Sequence, residues 1–546
     1  MLTRGWIVFT VGALAVTAQA QGVRFQDISD TSGLIYSGIG PMGTGVGIGD
    51  YDGDGWDDVV LVGATADSVQ LYHNNGDKTF TNVRDSVLPD ALPRSSSAHL
   101  VDLDNDGDKD LVLSRWFGTF LDSGFHYLVN EGGVFVAGVN SDGMARSGYR
   151  TGGTAVADLD YDGDLDVVLM HFFGTGNYVR NEGIFNLVDG STGIGANLTA
   201  ERPHWSVVLA DFNNDGFTDI HAAIDLEVDY QARNLGDGTF VDVSAQVGVT
   251  NDGADMGLAV GDIENDGDLD IYSSTIGSHN LYVNDGVGNF TMEAGERGVE
   301  RGEGRIIGFG WGCEFHDWDH DGDLDLAMVT QSGHGSLYMN DGTGHFTFGT
   351  RGSRLRLTGL GLISFDMDHD GDLDIIVTPT EGPPLLYENI TDFQGRSWLI
   401  VDTKGVTSNR DGIGTRVYVT VGPTTMMRES QSGGSFHCTG PLYAHFGLGE
   451  HAIADQVRIR WPSGLTRTMT NVAANRYLTV FEPLVRDGNL IGDFDLDCDV
   501  DLDDLSAVLT QFGSTLNPST GDSDLDGDVD LQDLALLLSQ FGAGCP

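Results

Sequence analysis

Asp158-Leu159-Asp160-Tyr161-Asp162-Gly163-Asp164-Leu165-Asp166 is one of seven copies of the pattern D-x-D-x-D-G-x-x-D, and that repetition decides the architecture. The copies begin at Asp50, Asp102, Asp158, Asp211, Asp262, Asp317 and Asp366, at intervals of 49 to 56 residues. A short apolar run precedes each copy, such as Ser206 to Ala210, and another follows, such as Leu373 to Val377, so each loop joins two strands. About 20 residues later an aromatic strand ends in Asn, turns through Gly and restarts at Phe, as in YQARNLGDGTF ending at Phe240 and LYVNDGVGNF ending at Phe290. Asn followed by Asp-Gly or Glu-Gly between two β runs is a hairpin signal. Each unit therefore holds four strands, the content of one propeller blade. The expected fold class is mainly β, a seven-bladed β-propeller. The seventh unit has no F-x-D-V strand after Asn389, and Phe25-Gln26-Asp27-Ile28-Ser29 matches Phe240-Val241-Asp242-Val243-Ser244. The first strand of the mature chain is thus expected to complete the last blade and remove the open sheet edges.

Inside each loop, carboxylates at positions 1, 3 and 5 can converge on one point, and Gly at position 6 permits the sharp turn. Position 7 offers its carbonyl and the Asp at position 9 returns from the next strand. An all-oxygen cage of this kind suits a hard cation, and Ca²⁺ best. The expected side-chain ligands are Asp50, Asp52, Asp54 and Asp58; Asp102, Asp104, Asp106 and Asp110; Asp158, Asp160, Asp162 and Asp166; and Asp211, Asn213, Asp215 and Asp219. The remaining sets are Asp262, Glu264, Asp266 and Asp270; Asp317, Asp319, Asp321 and Asp325; and Asp366, Asp368, Asp370 and Asp374. Asp and Gly are ordinary turn residues. Turns alone, however, do not call for four crowded acidic groups in seven copies, which would repel one another without a cation. The ions are expected to staple the blades.

These repeats resemble the FG-GAP or VCBS repeats of integrin α-subunit propellers and of bacterial exported propellers, over residues 22 to about 392. The resemblance implies calcium in the loops of each blade. Asn213 and Glu264 depart from Asp in the fourth and fifth copies.

After Asn389 the acidic loops stop. Residues 393–483 contain strand-like runs at Trp398 to Asp402, Arg416 to Val421 and Gln456 to Trp461. With Asn409, Gly412, Gly414, the FGLG of Phe446 to Gly449 and the WPSG of Trp461 to Gly464, this stretch resembles an ASPIC/UnbV domain. A small β domain docked on the ring is expected there. A linker at 484–491 leads into 492–546, where two acidic loops 29 residues apart each run into an apolar helix. Here position 12 is filled, giving Asp493, Asp495, Asp497, Asp501 and Asp504, then Asp522, Asp524, Asp526, Asp530 and Asp533. The doubled loop and helix resemble a small α-helical type I dockerin module, which implies two further Ca²⁺ sites, up to nine in all, and anchoring to a cohesin-like partner or cell surface. Cys498 replaces the Gly of position 6, and Leu502 and Leu531 stand where dockerins carry polar contact residues.

Composition narrows the function. With 28 Lys+Arg against 82 Asp+Glu the net charge is −54, which excludes nucleic acid as a partner because no basic footprint can displace counterions. A hydrophobic content of 40% with 9% aromatics excludes wholesale disorder. Residues 1–20 carry Arg4, an apolar run from Trp6 to Val16 and Ala18-Gln19-Ala20, a signal-peptide pattern with cleavage expected after Ala20. The mature chain, residues 21–392 as propeller and the rest as above, is expected to be secreted or cell-surface, with no membrane span. Four cysteines allow three full pairings, with Cys498 and Cys545 expected to pair locally and Cys313 and Cys438 to be free and buried. No G-x-S-x-G, H-E-x-x-H or C-x-x-C occurs, and Gly38 to Gly43 precedes a strand, not a phosphate-binding helix. No catalytic residue and no organic cofactor is assigned. The function expected is a calcium-binding adhesion, binding or scaffold module for an extracellular protein or glycan. The alternative is a polysaccharide-active enzyme using Arg94, Arg115, Trp116, Arg150, His171, His204, Trp205 and His334 on one propeller face.

Overall fold

A computed structural model describes residues 22–38, 43–65, 68–115, 124–138, 150–193, 201–251, 253–302, 308–333, 335–486, 489–494, 499–512, 529 and 531–544. The signal-peptide residues, Trp116, His334, Cys498 and Cys545 lie outside these, as do Asp495, Asp497, Asp522, Asp524, Asp526 and Asp530. Among the described residues no helix is long and apolar enough to cross a membrane.

The chain is mainly β and propeller-like. Antiparallel units of four strands follow one another, the first being Gly45–Gly49, Asp58–Val62, Gln70–Asn74 and Phe80–Asn82. The last unit is Gly361–Phe365, Asp374–Thr378 and Leu385–Asn389, and its fourth strand is the N-terminal Phe25–Asp27, with Phe25 opposite Asn389. Innermost strands lie side by side around the molecule, and Gly361–Phe365 returns to Gly45–Gly49. Apolar cores fill the gaps between adjacent units. Val60, Leu71, Leu100 and Leu111 form one between the first two, and Ile48, Val59, Phe365 and Ile376 form one between the last and the first. The third and fourth units fuse through their long strands Asp166–Gly174 and Arg202–Ala210, where Phe172 pairs with Pro203.

Glycine is abundant, and tight turns account for only part of it. Gly45 and Gly257 lie on innermost strands, where a Cβ would fall 2.0 Å from the Ser96 carbonyl oxygen and 2.3 Å from that of Trp311. The narrow centre of the ring requires that close approach.

Residues 397–481 form a separate β unit, with Ser397–Lys404 between Ala444–Gly449 and Arg476–Phe481, and Arg416–Val421 between Thr424–Glu429 and Ile453–Arg460. It does more than dock on the ring. Its segment from Ser430 to Gly440 runs into the centre, where Cys438–Thr439 pairs in parallel with Val46–Gly47. The Gly434 N–H donates to Val207 O at 3.1 Å, Ser435 Oγ donates to Leu362 O at 2.8 Å, and Ser432 Oγ sits 3.1 Å from His99 Nδ1. Phe436, fully buried, packs on Trp205 and Trp311. Helices Leu502–Gln511 and Leu531–Gln540 pack together over Val500, Val508, Val529 and Leu537, and Ala543–Gly544 extends the domain's sheet beside Thr466–Ala473.

Candidate metal centre

Every acidic loop has the same backbone. Position 4 is left-handed in all seven, as Gly53, Asn105, Tyr161, Asn214, Asn265, His320 and His369, and the Gly at position 6 is left-handed as well. Those two reversals aim the N–H groups inward. The first Asp of each loop accepts through Oδ2 from the position-6 Gly, at 2.8 Å from Gly55, Gly107, Gly322 and Gly371 and 2.9 to 3.0 Å from Gly163, Gly216 and Gly267. The position-5 Asp accepts from the N–H two residues on, as at Asp54, Asp162 and Asp266.

At position 9, buried Asp58, Asp110, Asp166, Asp219, Asp270, Asp325 and Asp374 each accept through Oδ1 from the N–H of the Asn that ends the third strand, at 2.7 to 2.9 Å. The Asn amide then reaches into the preceding unit. Asn130 Nδ2 donates to Tyr51 O, Asn181 to Leu103 O, Asn234 to Leu159 O, Asn284 to Phe212 O, Asn340 to Ile263 O and Asn389 to Trp318 O, at 2.7 to 3.1 Å. These asparagines were visible in the sequence only as a hairpin signal. Their recurrence at the end of the third strand in every unit is the signal for a structural role.

Ligand-capable atoms of Asp50, Asp52 and Asp54, of Asp102, Asp104 and Asp110, of Asp158, Asp160 and Asp166, and of Asp317, Asp319 and Asp325 lie within 4.8 Å of one another. At an effective dielectric of about 20, two charges at that distance repel by about 3.5 kcal/mol. Asp104 Oδ1, Asp158 Oδ1, Asp325 Oδ2 and Asp366 Oδ1 are buried and accept no hydrogen bond. Burial pushes Asp58 and Asp110 up to about 8, and Asp102, Asp158, Asp262 and Asp366 up to about 7. Crowded oxygens with open lone pairs fit a hard divalent cation.

The loops are not identical. In the first, His73 lies 3.3 Å from Asp52 and 3.4 Å from Asp58, an imidazole at a place where the other third strands carry Val, Arg, Met or Glu. In the fourth, Asn213 Nδ2 donates to Asp215 Oδ2 at 2.7 Å. In the fifth, Arg297 holds Glu264. Lys78 lies 2.5 Å from Asp368 of the seventh. Of the C-terminal candidates, Asp493, Asp501, Asp504 and Asp533 are described, and Asp504 accepts from Phe494 N–H at 2.6 Å and Asp501 N–H at 2.8 Å.

The C-terminal β domain rests on the loop face. Asp411 Oδ2 accepts from Asp102 N–H at 2.8 Å, Gly447 N–H donates to Asp317 Oδ2 at 3.0 Å, and Tyr477 Oη donates to Asp366 Oδ2 at 2.7 Å. Buried Arg416 donates to Asp211 O and, at 2.6 Å, to Glu429. His445 is packed there with Nε2 3.0 Å from Gly371 O.

The expected surface cluster of His and Trp is corrected. His171 and His204 lie in the interior, His204 Nδ1 being 3.2 Å from His171 O, and Trp205 is buried against Phe436. Strand pairing between the third and fourth units draws them in. Arg94 is exposed. Cys313 and Cys438 are free and buried, as expected.

A family model of FG-GAP-like repeats matches residues 24–113, 158–222, 211–273 and 317–377, and one of ASPIC and UnbV matches 405–486. The chain is 28% identical over 301 residues to cartilage acidic protein 1 of Xenopus tropicalis, over 48% of this chain and 45% of that protein. It is 26% identical over 299 residues to the Homo sapiens protein of the same name, over 48% and 44%. It thus spans about half the length of the curated relatives it matches. Among solved structures, the WD40 β-propeller domain of Doa1 aligns with a TM-score of 0.38 and 14% identity, over 63% of this chain and 93% of that one. The chain carries FG-GAP-like repeats followed by an ASPIC and UnbV domain, and is homologous to cartilage acidic protein 1.

Proposed function

We propose that this chain is an exported, calcium-binding seven-bladed β-propeller that serves as an extracellular adhesion, binding or scaffold module. The observation that carries the calcium reading is the convergence of open, buried carboxylate oxygens at one spacing in repeated loops. Calcium there neutralises the acidic cage. The chain's own contribution is to aim the oxygens through the two left-handed residues and to brace each loop with the Asn of its third strand. Because the C-terminal β domain covers the loop face, calcium also firms the seat on which that domain rests.

The opposite face supports the binding reading. Phe173, Leu226, Ile276 and Phe309 are exposed there, where second strands end and a first strand begins, and exposed apolar groups gathered on one surface mark interaction sites. The C-terminal helices expose a matched pair of leucines, Leu502 and Leu531, at equivalent places in the duplicated motif, which supports an anchoring or assembly role for this dockerin-like tail. A pulldown from the source's own cell-surface fraction, with calcium and with chelator, tests the proposal. Calcium-dependent capture of a protein or glycan is expected; capture of nothing above a propeller control counts against it.

A further inference from the structure

We infer a second kind of metal site, buried between the fourth and fifth units, in which His221, Asp229 and Asp255 hold one divalent cation of the zinc class.

His221 lies on the strand Asp219–Ile224, Asp229 stands just before Tyr230–Asn234, and Asp255 opens the strand Asp255–Gly261 of the next unit. All three are buried, with at most 1% of their surface exposed. Each has one side-chain atom with a settled partner. Asp229 Oδ1 accepts from Ile224 N–H at 2.9 Å, and Asp255 Oδ1 accepts from Ser273 Oγ and Asn280 Nδ2, both at 2.7 Å. His221 Nδ1 lies 2.7 Å from Gln231 Oε1. An acceptor oxygen at that place makes Nδ1 the protonated nitrogen, so Nε2 carries the lone pair.

The other atom of each residue has no hydrogen bond: His221 Nε2, Asp229 Oδ2 and Asp255 Oδ2. Nε2 lies 3.7 Å from Asp229 Oδ2, one acceptor facing another. The two carboxylates also act on each other, since the charge of Asp255 adds to burial in raising Asp229. The Tyr282 hydroxyl, buried and likewise without a hydrogen bond, stands in the field of both carboxylates, so three acceptors face a single donor. That deficit is costly, and a cation turns the cost into coordination. A histidine whose Nδ1–H is held by an amide oxygen while Nε2 faces carboxylates has the arrangement of a metal ligand with its supporting partner.

The donor set distinguishes this site from the acidic loops. One imidazole nitrogen and two carboxylates suit a borderline cation, whereas the loops offer oxygen in larger number. Asn280 and Tyr282 line an adjoining surface cleft with His279 and Glu293, which gives the ion a way in. Gln231 is a positioning residue that fixes the His221 tautomer.

The test uses the full mature chain in millimolar calcium, which fills the acidic loops, with Co²⁺ as a spectroscopic probe and metal content measured after desalting. One Co²⁺ per chain, with ligand-field absorption in the visible, is expected. His73→Gln, which removes the imidazole of the first loop, should retain it. His221→Gln and Asp255→Asn should each lose it while keeping the calcium-stabilised melting of the parent. If His221→Gln fails to fold, Asp255→Asn and the parent's metal content decide. No retained Co²⁺ in the parent, retention in a folded His221 or Asp255 variant, or loss in His73→Gln overturns the inference, leaving a proton or water among these groups.

Discussion

Asn74 Nδ2 donates to the carbonyl of Met367 at 2.9 Å across 293 residues of chain. Asn74 ends the third strand of the first unit, and Met367 is the second residue of the seventh acidic loop. The same donation links each later unit to the one before it, so this bond closes the series. Together with the strand Phe25–Asp27, it ties the first unit to the last.

Asn74→Ala removes that donation and a second one to Asp57 O at 3.1 Å, leaving carbonyls without partners. A loss of about 2 to 4 kcal/mol is expected by denaturant unfolding. Asn75, whose amide meets Thr79 at an exposed site, is the control. Equal effects of Asn74→Ala and Asn75→Ala would contradict a clamp.

Asp166→Asn keeps the size of the side chain but removes a ligand charge in the third loop. The number of calcium ions bound per chain in a calorimetric titration should fall by one. Asp108→Asn, at the half-buried position 7 where only the carbonyl is expected to be a ligand, should leave the number unchanged.

The metal-free chain should have a particular pH dependence. Burial raises Asp58 and Asp110 to about 8 from the ordinary 3.8, so above pH 4 the folded state holds protons that the unfolded chain releases. Their contribution is complete below the unfolded value and is lost as pH rises through the folded values. Buried His99, His204, His221 and His279 are lowered to about 4 from 6.5 and act in the opposite sense, but only within that interval. In chelator the melting temperature should therefore fall from about pH 6.5 to about 8.5, and excess calcium should flatten the slope. Calorimetry across that window checks it, and a rise in chelator would be the wrong sign.

Phe436→Ala opens a cavity beside Trp205 and Trp311 and should cost about 3 to 5 kcal/mol. The segment that carries Phe436 joins the ring to the C-terminal domain. One melting transition should therefore split into two, and a single unbroken transition would show that the segment does not couple them.

Much of this was legible in the residues. The loop spacing located the strands on either side of each loop, and the match of Phe25 to Phe240 placed the N-terminal strand. The central segment was not legible. Ser430 to Gly440 is short, polar and glycine-rich, with no period to mark it, and its partners Val46, Val207 and Leu362 are distant in sequence. The acidic loops were legible by type and spacing, whereas their neighbours were not. His73 and Arg297 reach the loops from other strands and elements, so only pairing brings them near. His171 and Trp205 failed as surface candidates because strand pairing between the third and fourth units turned a presumed loop into interior.

The most direct test of the central claim is the melting temperature of the mature chain with excess calcium and with chelator, at one pH and one ionic strength. The account predicts a large upward shift with calcium, reversed when the metal is withdrawn. Equal melting temperatures in the two conditions would contradict it.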